Sequence, residues 1–162
     1  INLSVWFSPM REGLMQSTVA DELIQVVEGA TERLRSLSDS EVSAKPAPGE
    51  WSKKETLGHL IDSAVNNHHR FIRAQEAGEF VFPEYEQDDW VSLQDYNAST
   101  WPELIELWRL YNRHLAQIIR RIPKEKLKVV CRIRPYEPVT LGYLVEDYLV
   151  HLKHHLGQLG AV

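Results

Sequence analysis

At 162 residues and 18.8 kDa the chain has the length of one domain, and 43% hydrophobic with 25% charged residues is the make-up of a folded core, not of a disordered chain. Eighteen Lys and Arg against 23 Asp and Glu leave a net charge of −5, the wrong sign for a nucleic-acid partner. No apolar run nears the roughly 20 residues of a membrane span, and the one cysteine, Cys131, makes no internal disulfide, zinc ribbon or CxxC pair, so a cytoplasmic location is expected.

The chain opens on Ile1, with Met10 as a candidate start, and residues 1–16 have no helical period; they are expected to form a strap lying on a single domain of residues 17–162. Four helical periods follow. The first runs from about Thr18 to Ser36, with Leu23, Ile24, Val27, Ala30 and Leu34 on one face. The second, from Lys53 to about Gln75, opens on a capping box in which Ser52 and Glu55 satisfy orphan amides reciprocally. The third, from Trp101 to Ile122, repeats that box in Thr100 and Glu103 and is stopped by Pro123. The fourth starts after Thr140 and is expected to reach the chain's end. Lys128–Arg134 reads as a short strand or extended loop. The connection from about Ala77 to Ser99 is long for a bundle, a length typical of functional loops, and sets Phe80, Phe82, Tyr85 and Trp90 among acidic residues. Four amphipathic helices with nothing else substantial predict an all-α four-helix bundle.

The histidines carry the functional signal. On the fourth helix Leu141, Val145, Tyr148, Leu152, Leu156 and Leu159 build the apolar stripe; His155 falls within it, His151 at its edge about 40° away, and His154 points to solvent. An i, i+4 pair can share one ion, though a core histidine bonded to a carbonyl fits the same spacing. On the second helix His68 lies on the apolar face of Leu57, Leu60, Ile61, Ala64, Val65, Phe71 and Ile72, while His59 lies nearly opposite it with Asp62, Ser63 and Asn66. From Leu57 to His69, Asp62 is the only charged residue apart from histidine, which suits a polar cavity better than a solvated face. No glutamate stands three residues before a histidine, which removes the di-iron carboxylate pattern. HExxH, EF-hand, Walker and Rossmann motifs, and the serine-hydrolase elbow, are also absent.

Gly49-Glu50-Trp51-Ser52 followed by Gly58-His59-Leu60-Ile61-Asp62-Ser63, the Pro83-Glu84-Tyr85 loop with Trp90, and the terminal stretch from Tyr148 to Leu159 resemble the DinB-like superfamily, in particular its YfiT-like branch of metal-dependent hydrolases and bacillithiol transferases. The resemblance spans about residues 17–160. It departs at Gly157-Gln158, which stand in place of a further histidine-bearing turn. It implies a bundle binding one divalent ion through His59, His151 and His155; the helical wheel alone does not choose His59 over His68. Three imidazoles leave coordination positions open, as at a catalytic ion, and zinc and nickel both suit them. Asp62 is expected to orient a ligand or act as a base, Gln158 and Asp147 to support His151 and His155 from behind, and Tyr85 and Trp90 to wall the pocket. The expected partner is a small thiol or an electrophile acted on by S-transfer or hydrolysis, with a homodimer by analogy; a non-catalytic, stress-associated metal-binding bundle is the alternative.

Overall fold

A computed structural model describes residues 16–76, 79–133 and 135–162, so the strap expected over residues 1–16 lies, apart from Gln16, outside the described residues. The helices are α1 (Gln16–Arg35), the short α2 (Asp39–Ser43), α3 (Lys53–Glu76), α4 (Gln87–Gln94), α5 (Trp101–Arg121) and α6 (Leu141–Leu159); the strands are β1 (Glu79–Phe82), β2 (Val130–Ile133) and β3 (Val139–Thr140). The long helices α1, α3, α5 and α6 form a four-helix bundle within a residue or two of the boundaries read from periodicity at most ends. The last helix stops short of the chain's end because Gly160 takes a positive φ of 72° and closes it.

The predicted cap at Ser52 forms: its amide donates to Glu55 Oε2 at 2.7 Å, and the Glu55 amide donates to Ser52 Oγ at 3.2 Å. The second box does not. The Thr100 hydroxyl donates to the Glu103 carboxylate, and no side chain caps the amides of α5. A box that escaped the sequence reading, Ser38 with Glu41, starts α2.

Each helix buries the stripe its sequence offers, with Leu23, Leu34, Leu57, Leu60, Trp108, Leu115 and Leu152 fully enclosed. Three predicted core positions lie outside that interior: Ile24 and Val65 are half-buried, and Ile72 is exposed. α1 packs on α5 and α6, and α3 packs on the same two, so the consecutive helices α1 and α3 stand diagonally across the bundle. This arrangement places α3 beside α6 although more than 60 residues separate them in sequence.

The two long connections are structured. β1 pairs in parallel with β2 (Glu79 opposite Val130, Phe82 opposite Ile133), and β2 pairs antiparallel with β3, so a three-stranded sheet joins the segment after α3 to the segment before α6. Within the stretch 128–134, expected to be a short strand or extended loop, residues 130–133 form a strand, while β1 and α4 were not legible as elements. The same connection folds back over the outer side of α3 through α4 and a 3-10 turn at Tyr96–Ala98. A Cβ on Gly58 would stand 2.0 Å from Tyr96 Cδ2 and 2.3 Å from its Cγ, so the Tyr96 ring lies directly on the α3 backbone. Gly58→Ala is therefore expected to destabilise the fold by about 1–3 kcal/mol despite alanine's better helix propensity, measured as a lower urea midpoint at unchanged m-value.

Candidate metal centre

The cover on α3 has a chemical consequence. An amphipathic helix normally keeps its polar side in water, but from Thr56 to Ala64 every residue of α3 is buried, including His59, Asp62 and Ser63. A buried polar side chain needs partners. Asp62 Oδ1 accepts from the Tyr96 hydroxyl at 2.7 Å and from Gln94 Nε2 at 2.6 Å. Its Oδ2, and Nδ1 of His59 one turn earlier, are both buried without a partner. Burial raises the Asp62 carboxyl above the usual range, opposed by those two hydrogen bonds.

On the inner side His59 faces α6. Its Nε2 stands 3.3 Å from His151 Nε2, its ring centroid 4.8 Å from that of His155, and the ligating nitrogens of all three rings lie within 4.8 Å of one another. Among the described residues this is the only group of three or more His, Cys, Asp or Glu so placed. His155 Nδ1 donates to Gln158 Oε1 at 2.8 Å; an amide oxygen only accepts, so Nδ1 carries the proton and Nε2 keeps its lone pair. His151 Nδ1 lies 3.4 Å from Ser63 Oγ, and the Trp51 ring covers His59 at 5.0 Å. Burial, reinforced by the neighbouring imidazoles, lowers His59 to about 4 and His151 to about 3; His155 is lowered by burial as well. At neutral pH the site presents three uncharged imidazoles.

The cluster opens on one side into a cavity of about 310 Å³, where the polar stripe His59, Ser63, Asn67 and Arg70 of α3 meets Asp147 and His151 of α6. A larger hollow of about 640 Å³ beside Lys54 and Trp101 contains no histidine. Of the residues singled out from sequence, His59, His151 and His155 come together and Gln158 bonds to one of them. Asp147 lines the cavity without a hydrogen bond to any histidine, and Asp62 lies behind His59, outside the cavity wall. Tyr85 forms part of the wall; Trp90 backs it at 5.0 Å and faces a neighbouring groove, and Phe82 from the same connection is buried in the core. His68 is half-buried, not a core residue, and bonds Tyr111 through Nδ1. Arg70 and Asn67 escaped the sequence reading; both extend the His59–Ser63 stripe at helical spacing, a signal available by following the helix one residue past His69.

The family model of the DinB superfamily matches residues 22–159. The Bacillus subtilis protein named "Putative metal-dependent hydrolase YfiT" is 26% identical over 146 residues, covering 86% of this chain and 81% of its own. A relative from Oceanobacillus iheyensis with the same hydrolase name is 22% identical, covering 91% and 88%. Among solved structures, that of YfiT, described as "a probable metal-dependent hydrolase with an unusual four-helix bundle topology", superposes with a TM-score of 0.77 at 21% identity, over 92% of this chain and 87% of its own. A mycothiol-dependent maleylpyruvate isomerase superposes at 0.73 with 14% identity, over 92% of this chain and 62% of that one.

The lowered histidines set a stability trend for the metal-free protein. Between about pH 6.5 and pH 4 the unfolded chain binds protons that folded His59 and His151 refuse, so their contribution falls as pH drops through that window. The raised carboxyls Asp62 and Asp147 act in the opposite sense and are common to wild type and variant. His151→Gln is expected to lose less melting temperature than wild type between about pH 7 and about pH 4.5, read by calorimetry in chelator.

Proposed function

The chain belongs to the DinB superfamily, and from that premise and the histidine cluster we propose that it is a metal-dependent enzyme in which His59, His151 and His155 hold one divalent ion, zinc or nickel. The observation that carries this reading is the 3.3 Å separation of His59 Nε2 and His151 Nε2 at the floor of a cavity. Two nitrogens on one tetrahedral zinc at 2.0–2.1 Å stand roughly 3.3–3.4 Å apart. The chemistry of the donors agrees: all three imidazoles are neutral, and the His155 tautomer leaves Nε2 free.

A divalent ion held by three imidazoles supplies Lewis acidity, which brings bound water to a pKa of about 7 or keeps a thiol deprotonated. The chain's own residues do the rest. Gln158 fixes the proton of His155, Ser63 lies against the far nitrogen of His151, and Asp62 offers an unpartnered acceptor one turn from the unpartnered nitrogen of His59. We assign Asp62 a positioning role, from behind His59 and outside the cavity, and not that of a base. Tyr85 walls the chamber with Trp90 behind it. The hydrolase names of the relatives support water as the activated group. The thiol named for the isomerase of like fold is the reason to test transfer of a small thiol to an electrophile beside hydrolysis.

Untagged protein is expected to carry close to one zinc or nickel per chain by elemental analysis, and His59→Ala to lose it. Asp62→Asn is expected to weaken metal affinity by about 10–100-fold. Chelation should abolish turnover of a thiol with a chlorodinitrobenzene-type acceptor while shifting the melting temperature little; a sharp fall in melting temperature would mark a structural ion.

A further inference from the structure

The cavity contains a cation that, among the described residues, no carboxylate pairs with directly. Arg35, Arg109, Arg113, Arg120 and Arg132 all pair with surface carboxylates. Arg70 is half-buried, lines the cavity three turns along α3 from His59, and among the described residues makes no hydrogen bond and no ion pair. Taking a guanidinium out of water without a partner is costly. Its charge is nevertheless felt around the chamber, at Tyr85, Asp147 and His151.

Asp147 is the obvious counter-ion, one turn before His151 on α6. The two side chains influence each other, yet no nitrogen–oxygen approach within 4.0 Å joins them. The other two carboxylates on the wall are placed elsewhere: Glu84 accepts from the Tyr136 hydroxyl at 2.8 Å, and both Glu84 and Glu86 are exposed. A planar guanidinium facing a polar chamber matches a carboxylate in a two-pronged hydrogen bond. Three nearby carboxylates and a single arginine disfavour a dianionic phosphate.

We propose that Arg70 is a substrate anchor: the molecule on which this site acts carries a carboxylate that Arg70 grips while its reacting group faces His59 and His151. The inference rests on the metal reading above and narrows its substrate to small monocarboxylates, for a chamber of about 310 Å³ is at the small end of ligand pockets.

The test uses cobalt-substituted full-length protein and two probes of similar size, 3-mercaptopropionate and neutral 2-mercaptoethanol. The thiolate-to-cobalt absorption band reports binding of each. Wild type is expected to bind the carboxylate probe at least about tenfold more tightly. Arg70→Gln should bring the two probes to within about twofold, with Arg70→Lys between, since it keeps the charge and loses the fork. In a second arm without metal, the Arg70 Nε–H resonance, assigned by its loss in Arg70→Gln, should move on addition of 3-mercaptopropionate and stay still with 2-mercaptoethanol. Equal affinity of wild type for the two probes, or a preference that survives in Arg70→Gln, overturns the proposal. Arg70 would then be a partner of Asp147, and Asp147→Asn would share its loss of melting temperature. A missing cobalt band beside a moving Arg70 resonance would sink the metal reading alone and leave the anchor standing.

Discussion

Two turns of α3 keep their polar side chains His59, Asp62 and Ser63 buried, open only toward the cavity, and the rest of the site depends on that constraint. The seal on the outside is the Tyr96 ring lying on Gly58, held by its hydroxyl to Asp62. On the inside it is the packing of α3 against α6. Between them the imidazole of His59 has one exit, toward His151 and His155. Removing water lowers the basicity of all three rings together, so the protein delivers lone pairs, not charges, to a common point. A solvated histidine trio at the same spacing would be partly protonated near neutrality and would hold a cation less well.

The architecture was legible because each bundle helix has an apolar stripe of the right period, and because Ser52 with Glu55, Thr140 and Pro123 mark the ends. The His151–His155 pair could be read from the same periodicity. His59 could not be chosen over His68 that way, since a wheel identifies the side that faces the bundle axis. It cannot see that a second layer, built by a connection of more than twenty residues, covers the opposite side. Nor does the wheel show that Ile72, on the nominal core face, emerges into solvent near the far end of α3.

Strand β1, helix α4 and the turn at Tyr96 were missed because four- and eight-residue elements have little periodicity, and their partners are distant: β1 pairs with a strand fifty residues later. Arg70 was missed for a simpler reason. It ends a polar stripe that begins at His59, and the stripe becomes visible only when the helix is followed one residue past the double histidine. Thr100 and Glu103 show the opposite error, in which matching letters do not produce the interaction. Their side chains bond to each other, and Pro102 has no amide to be capped.

The parallel pairing of β1 with β2 has a consequence for how such a protein can diversify. The three imidazoles stand on two bundle helices whose spacing is fixed by the buried core, whereas Tyr85, Ile133 and Tyr136 on the opposite wall come from the two connections that the small sheet ties together. Substitutions or insertions in those connections can reshape what the chamber admits while the bundle continues to present the same donor atoms. Reactive floor and selective wall are thus inherited as separate parts of the chain.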